Sequence, residues 1–233
     1  AGGNNAGIQI AMSLGADYIV LLNNDTRVEP DWVEALVAAA EADSSIAVCQ
    51  SQLRTWDGQH EIHFRFIPEW AEAETIESPV QIAGPPVPTA FASGCAMLLR
   101  CRALEHIGLF DERYFCYVED LDLTLRAWVL GYKAMLVPES VVYHRGSSSS
   151  NSRQRMYWGY RNQLTTLIKL YEPRTLRAFW KPITRRWFCT RNRIALRATC
   201  ACLLRLPGTL VRRRRLQRQR ARPDSEIFSV GDR

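Results

Sequence analysis

A run of apolar residues near the start of the chain, Tyr18 to Leu22, ends abruptly at the polar sequence Asn23-Asn24-Asp25-Thr26. A short apolar run with polar neighbours is typical of a strand buried inside an α/β sheet. Such sheets bind their ligands at the edge where the strands end. The sequence therefore predicts that Asp25 lies at a ligand-binding edge of the sheet.

A second acidic cluster, Glu119-Asp120-Leu121-Asp122, is predicted to open a helix. Apolar residues at helical spacing up to Leu130 indicate this helix, and Gly131 is expected to end it. The amino end of a helix favours an ionised carboxylate. Two acidic sites of this kind suit two tasks: one binds a divalent cation on a diphosphate, and the other takes a proton from an attacking hydroxyl.

The composition indicates a folded protein with a basic carboxyl-terminal part. The chain has 233 residues, 47% of them hydrophobic, which is enough for one large domain or one domain with an appendage. The last third carries most of the arginine behind the net charge of +6. The seven cysteines form no CxxC pair, and their odd number argues against a disulfide framework or a zinc site. We expect reduced thiols in a cytosolic setting.

Hydrophobic periodicity predicts alternating helices and strands through most of the chain. The predicted helices cover residues 8–14, 30–42, 101–107, 121–130 and 153–171, and the predicted strands cover residues 18–22, 46–49, 91–99, 133–137 and 140–144. Residues 52–88 lose this periodicity, apart from a hint of a hairpin strand at 60–66. Residues 147–152, mostly serine, are predicted to form a flexible loop.

The first residues, Gly2 to Asn5, have a loop-like composition, and no strand precedes them in this sequence. Because a doubly wound sheet normally begins with a strand, we expect the natural protein to extend beyond Ala1. The strand and loop that would hold a nucleobase are then absent, and we predict poor turnover for the 233-residue chain itself.

Seven short motifs occur in order within residues 1–165: Gly2-Gly3-Asn4-Asn5-Ala6-Gly7, Leu22-Asn23-Asn24-Asp25-Thr26, Ser93-Gly94-Cys95-Ala96-Met97-Leu98, Phe110-Asp111-Glu112, Tyr117-Val118-Glu119-Asp120-Leu121-Asp122-Leu123 with Arg126, Gly131-Tyr132-Lys133, and His144. Together they resemble the family 2 inverting glycosyltransferases, and most closely the bacterial rhamnosyltransferase-like branch. The ordered set is far more specific than any single motif. The resemblance implies an α/β fold of the Rossmann-like GT-A type with a mixed, mainly parallel sheet. It also implies transfer of a sugar, with inversion, from a nucleoside diphosphate donor.

The resemblance also implies roles for individual residues. Asp25 matches the residue that positions Mg²⁺ or Mn²⁺ on the donor diphosphate, with Asn24 beside it, and His144 matches one that often completes the metal site. Asp120 matches the catalytic base. Because asparagine replaces one carboxylate of the two-aspartate form of the motif, we expect the diphosphate to supply much of the metal ligation. Taken alone, Asp25 would also fit a turn, Asp120 a helix cap, and His144 an ordinary core or surface histidine.

Four further residues are predicted to contact the donor: Asn5, Gly94, Glu119 and Arg161. A glycine such as Gly94 lets a substrate approach the backbone closely. Glu119 is equally consistent with a first-turn acid that stabilises its helix. Arg161, next to Asn162, fits either a phosphate contact or a solvated face, and the sequence does not decide between them.

We predict three regions along the chain: a GT-A catalytic domain over residues 1–152, a helical region over 153–211 and a basic disordered tail over 212–233. Arginines within 191–211 interrupt any apolar span, so a helix lying flat on an anionic membrane fits better than a transmembrane helix. The expected acceptor is a glycan or polyprenyl-linked sugar in bacterial surface polysaccharide synthesis. The expected location is the inner face of the plasma membrane.

Three alternatives stay open from the sequence alone. A nucleotidyltransferase shares this architecture, although it should show a glycine- and lysine-rich loop upstream of the present residues. The run Arg212 to Arg215 would suit a nucleic-acid-binding protein, but a solvated or membrane-facing run is preferred, and we expect no nucleic acid partner. An inactive relative is the third alternative.

Overall fold

The computed structural model describes residues 1–81, 84–146, 151–185 and 193–230, which form one mixed sheet with helices on both faces. The strands are β1 (Tyr18–Leu22), β2 (Thr26–Val28), β3 (Ile46–Thr55), β4 (His60–Ile67), β5 (Glu72–Pro79), β6 (Val87–Pro88), β7 (Ala96–Arg100) and β8 (Lys133–His144). The helices are α1 (Gly2–Ser13), α2 (Trp32–Glu41), α3 (Cys101–Ile107), α4 (Glu119–Val129), α5 (Ser152–Leu170), α6 (Pro173–Ala178), α7 (Trp180–Thr184), α8 (Arg193–Leu204), α9 (Leu206–Arg218) and α10 (Asp224–Val230).

The sheet is organised around β3. Along one path the strands follow the order β1-β7-β3-β4-β5, and β8 pairs with β3 and also with β2 and β6. Strands β3 and β8 run parallel, from Ile46 opposite Lys133 to Thr55 opposite His144. The other strand pairs in the described part of the chain are antiparallel. The sheet is therefore mixed, as predicted, but the prediction that it is mainly parallel is wrong.

The wrong strand direction has a physical cause. An uninterrupted apolar strand indicates that helices cover both faces of the sheet, and this pattern is the same for either strand direction. In the fold, β7 runs antiparallel between β1 and β3, and the β4–β5 hairpin extends the same sheet. The apolar run thus predicted the burial of β7 correctly and contained no information on its direction.

Alternate residues of the central strands face two hydrophobic clusters. Val48 and Leu99 face the larger cluster, with α1, α3, α4 and α5, whereas Cys49 and Leu98 face a smaller one beneath α2. This alternation follows from the two-residue period of a strand. The larger cluster also contains residues of the carboxyl-terminal helices, namely Leu167, Leu170, Tyr171, Ile183, Ala195, Leu216 and Ile227. The carboxyl-terminal helices therefore share the core that supports the sheet.

Most predicted elements are present with shifted bounds. Helix α1 begins at Gly2, so the residues of loop-like composition are helical, and the segments 133–137 and 140–144 form the single strand β8. The strand predicted over 91–99 begins only at Ala96, after a loop. The hint at 60–66 corresponds to β4 of the hairpin. The serine-rich loop falls mostly outside the described residues, and Ser152 already belongs to α5.

Most of the described part of the tail predicted to be disordered over 212–233 is helical. Residues up to Arg218 belong to α9, and 224–230 form α10. One arginine of this segment is tied to the fold: Arg213 Nη1 donates to the carbonyls of Ile168 and Tyr171, both at 2.6 Å. These carbonyls lie at the end of α5, where a helix leaves its last carbonyl groups without intrahelical partners. Because these partners are distant in sequence, the run of charges by itself indicated a solvated segment.

Within the described ranges, no single helix is both long enough and apolar enough to cross a membrane. Helices α8 and α9 together pass that test by length and composition, but they are bent by 66° relative to each other.

Candidate active site

A cavity of about 800 Å³ opens between the end of β1, the loop before β7, the end of β8 and the first turn of α4. The β4–β5 hairpin and one face of α5 form its remaining walls. This volume lies in the range of small-molecule sites in proteins. Of the residues predicted from the sequence, Gly94, Glu119, Asp120 and His144 line this cavity.

Asp120 lies in the first turn of α4, and two backbone N–H groups orient its carboxylate. Oδ2 accepts from the N–H of Gly94 at 3.1 Å, and Oδ1 accepts from the N–H of Leu121 at 2.9 Å. Burial raises the pKa of Asp120, and the two backbone hydrogen bonds oppose that effect because they favour the charged form. The structure thus places an oriented carboxylate at the cavity wall, and Gly94 contributes through its backbone.

Glu119 adds a second carboxyl group beside Asp120. Burial raises the pKa of Glu119, and the negative charge of Asp120 raises it further, to about 7. In the described part of the chain, Oε2 of Glu119 has no hydrogen-bond partner. Since Asp120 accepts from Gly94 and Leu121, we expect the pair to retain one proton near neutral pH, on Glu119, and to leave Asp120 ionised.

His144 lines the same cavity and is paired with Asp25, which lies outside the cavity wall. Strands β2 and β8 place Thr26 opposite His144, and Asp25 Oδ1 lies 3.4 Å from His144 Nε2. Burial raises the pKa of the Cys95 thiol to about 12, and the charges of Asp25 and Asp120 contribute to this rise. Asp120 lines the cavity, and Asp25 is connected to it through His144, so their shared role stays a prediction.

The residues at this edge fit a divalent cation that is completed by a ligand. The described residues contain no group of three or more His, Cys, Asp or Glu side chains arranged for a metal ion. Asp25 and His144 offer one carboxylate and one imidazole, a donor set that suits Mn²⁺. Such a pair requires further oxygen ligands, and a diphosphate supplies them.

Four residues predicted at the donor site do not line the cavity: Asn5, Asn24, Asp25 and Arg161. Asn5 is 4% exposed: its Nδ2 donates to the Phe110 carbonyl and to Glu112 Oε1, both at 2.9 Å, and its Oδ1 accepts from the Phe110 N–H. Asn5 therefore fastens α1 to the loop before α4, and the prediction of a donor contact is not supported by its geometry. Asn24 is exposed and is not part of the cavity wall.

Arg161 is buried and is not part of a solvated face. It is 6% exposed, and its Nη2 donates to the carbonyls of Arg113 and Tyr114 at 3.2 and 2.6 Å. Burial lowers the pKa of its guanidinium. Two backbone carbonyls thus accept from Nη2, and this geometry gives no support to the prediction that Arg161 contacts the donor.

The sequence did not identify the part of α5 that faces the cavity. Arg155, Tyr160 and Gln163 line it, and Oε1 of Gln163 is buried without a hydrogen-bond partner among the described residues. These positions lie on one face of α5 at helical spacing. That periodicity was visible, but which face turns to the cavity depends on how α5 packs against α8 and α9.

Residues 18–212 match the family model described as glycosyl transferase family group 2. The chain belongs to this family. It is 28% identical over 152 residues to an N-acetylglucosaminyl-diphospho-decaprenol L-rhamnosyltransferase of Mycobacterium tuberculosis, in both strain CDC 1551 / Oshkosh and strain H37Rv. The alignments cover 58% of this chain and 48% of each relative, so the chain spans about half the length of the curated relatives it matches.

A solved structure supports the same fold. The crystal structure of GalNAc-T7 with UDP, GalNAc and Mn²⁺ aligns with a TM-score of 0.53 over 75% of this chain and 37% of that chain, at 18% identity. At this identity the likeness concerns the fold alone. The predicted family and the predicted GT-A type of α/β fold are confirmed, and the roles of individual residues stay predictions.

Proposed function

We propose that this glycosyltransferase moves a sugar, with inversion, from a nucleoside diphosphate donor to a hydroxyl group of a lipid-linked glycan. The proposal rests on one observation: the oriented carboxylate of Asp120 and the imidazole of His144, which is paired with Asp25, line a single cavity. A base for the acceptor and a cation site for the diphosphate are the two functions that a direct displacement requires.

Asp120 is the proposed base. An ionised carboxylate takes the proton of the acceptor hydroxyl, whose oxygen attacks the anomeric carbon on the face opposite the departing diphosphate. The N–H groups of Gly94 and Leu121 hold this carboxylate in one orientation, which lowers the entropic cost of reaching the reactive geometry. General base catalysis of this kind contributes roughly 10²–10⁴-fold in rate.

Asp25 and His144 are the proposed ligands of Mg²⁺ or Mn²⁺. The bound cation supplies charge stabilisation for the leaving diphosphate. Arg155 also lines the cavity and adds a positive side chain on the α5 wall. With only one carboxylate from this pair, binding of the cation by the protein alone is expected to be weak without the donor.

Two unpartnered oxygens in the cavity wall favour a ligand rich in hydroxyl groups. Glu119 Oε2 and Gln163 Oε1 are both buried and without hydrogen-bond partners among the described residues. A buried acceptor is costly unless a donor reaches it, and sugar hydroxyls are such donors. We assign both residues to the sugar-binding part of the site.

The donor sugar and the acceptor follow from the relatives as hypotheses. The name of the Mycobacterium tuberculosis relatives gives L-rhamnose as the transferred sugar and an N-acetylglucosaminyl-diphospho-decaprenol as the acceptor. We propose the same two chemical classes here, an activated deoxysugar and a polyprenyl-diphosphate-linked sugar, in the synthesis of bacterial surface polysaccharide.

The donor experiment is a panel of nucleotide sugars assayed with Mn²⁺ and a GlcNAc-diphospho-polyprenyl acceptor, using the full native protein. We expect transfer from a deoxysugar donor, a loss of at least 100-fold in kcat for Asp120→Asn, and a raised donor KM for Asp25→Ala. Transfer that is unchanged in both variants would refute the site assignment, whereas transfer of a different sugar would refute only the choice of donor.

We propose peripheral attachment to the inner face of the plasma membrane through α8 and α9. These helices expose apolar side chains, Leu196, Leu203, Leu204, Leu210 and Val211, beside exposed arginines of α9, Arg212, Arg214 and Arg215. Apolar insertion together with attraction to anionic headgroups is the usual basis of such binding. Sedimentation with vesicles should show binding that increases with anionic lipid and weakens for Arg214→Ser with Arg215→Ser. Equal binding to neutral vesicles would contradict the electrostatic part.

A further inference from the structure

The loop that leads into α4 has an unusual backbone. Phe115, Tyr117 and Val118 have φ values of 65°, 65° and 71°. Residues other than glycine rarely adopt this left-handed region, and a β-branched residue such as Val118 does so least readily. Val118 directly precedes α4, so its backbone direction sets where the first turn of the helix, including Asp120, points. Such a loop persists only when the surrounding structure holds it in place.

One side chain of α5, that of Asn162, donates hydrogen bonds to three carbonyl groups of this loop. Asn162 is 1% exposed, and its Nδ2 lies 3.0, 2.9 and 2.7 Å from the carbonyl oxygens of Tyr114, Cys116 and Tyr117. An amide nitrogen has two hydrogens, so the three acceptors share them. Arg161 Nε donates to Asn162 Oδ1 at 2.9 Å, which fixes the direction of the amide.

Neighbouring residues of α5 support the same loop. The ring of Trp158 lies 5.0 Å from that of Phe115 and 6.3 Å from that of Tyr117, between centroids. The Tyr114 hydroxyl is bonded to Thr166 Oγ1 at 2.7 Å. Residues 158, 162 and 166 follow one another at four-residue spacing and therefore share one face of the helix. The loop is thus held along one line of α5, with Asn162 at its centre.

We propose that Asn162 is a positioning residue for Asp120. Asn162 has no place in the cavity wall; it stabilises the left-handed backbone of 115–118, and this backbone aims the first turn of α4 so that Asp120 meets the N–H of Gly94. The inference rests on the proposed role of Asp120 as base. It assigns to the Arg161-Asn162 pair a role in holding the base rather than in binding the donor.

The kinetic experiment compares Asn162→Ala with Thr165→Val, a control on the same helix whose hydroxyl bonds the Arg161 carbonyl rather than the loop. We expect Asn162→Ala to lower kcat at least tenfold with a change in donor KM below threefold, and Thr165→Val to leave both near wild type. In an Asp120→Asn background, Asn162→Ala should cost no further activity. A kcat within threefold of wild type, or an undiminished loss in that background, would overturn the proposal.

A rescue variant separates the positioning role from general destabilisation. Glycine adopts a φ near 71° without a steric penalty. Adding Val118→Gly to Asn162→Ala should therefore raise kcat at least threefold above that of Asn162→Ala alone. Asn162→Ser, which retains one donor, provides a milder variant if Asn162→Ala does not fold, and we expect its kcat to be intermediate. The absence of rescue in a folded double variant contradicts the proposal.

Amide hydrogen exchange tests the proposal without requiring sugar transfer. The Asp122 N–H bonds to the Val118 carbonyl at 2.9 Å, and the Leu121 N–H bonds to Asp120. Asn162→Ala should speed exchange of both amides at least tenfold relative to Thr165→Val, with β3 unchanged. If the wild type transfers no sugar, the proposed function fails while exchange still tests the loop. Unchanged exchange overturns the positioning role even where transfer is normal.

Discussion

Glu119→Gln should stabilise the protein above neutral pH, because it removes a carboxyl group that is costly to ionise. The pKa of Glu119 is raised from the ordinary 4.5 to about 7. Between these values the folded state binds more protons than the unfolded state, so stability is lost as the pH rises through this window. At about 1.36 kcal/mol per tenfold change in ionisation constant, the full difference is roughly 3 kcal/mol. Since the cavity admits solvent to Glu119, we expect about 1–3 kcal/mol at pH 8.

The assay is urea unfolding of Glu119→Gln and wild type at pH 4.5 and pH 8. In thermal unfolding, each kcal/mol of stabilisation corresponds to a rise in Tm of about 2–4 °C for a protein of this length. The two proteins should agree in stability to within about 0.5 kcal/mol at pH 4.5, where Glu119 is protonated in the folded state and about half protonated in the unfolded state. Glu105→Gln on the exposed side of α3 is the matched control and should change stability by less than about 0.5 kcal/mol at either pH.

The same substitution should alter the pH dependence of transfer. Ionised Glu119 repels a diphosphate donor, so wild-type kcat/KM should fall as the pH rises past about 7, with Asp120 remaining ionised. Glu119→Gln should remove this inflection. The reasoning is refuted if the variant is equally stable or less stable than wild type at pH 8 and retains the inflection, because Glu119 would then not hold the proton.

Two further changes test other parts of the structure. His144→Ala should raise the Mn²⁺ concentration for half-maximal transfer by about tenfold or more, measured by metal titration, and an unchanged titration would show that His144 is not a ligand. Lys169 is 2% exposed, and its Nζ lies 3.1 Å from Asp111 and 2.6 Å from Asp122. Lys169→Met should destabilise the protein by about 3–5 kcal/mol in urea unfolding, because it leaves these buried carboxylates without the lysine charge. A loss below about 1 kcal/mol would mean that Arg113 and Arg126 already neutralise this network.

The sequence by itself determined the elements that present the two acids. Strand β1 ends before Asp25, and α4 opens at Glu119 and ends before Gly131, as the apolar periodicity predicted. These features were predictable because strand burial, helix periodicity and helix ends depend on residues close together in the chain. The order of the short motifs predicted the family for a similar reason, since each motif is a local feature.

Only the tertiary structure decided which polar residues serve a ligand and which serve the fold. Asn5 bonds Phe110, which is 105 positions away, and Arg161 bonds Tyr114, which is 47 positions away. A buried carbonyl and a bound phosphate both accept hydrogen bonds from the same donor side chains. The residue type alone therefore does not tell which of the two a side chain contacts. Strand direction, the cavity-facing side of α5 and the docking of the basic tail were likewise set by contacts between distant segments. Local pattern contains no record of such contacts.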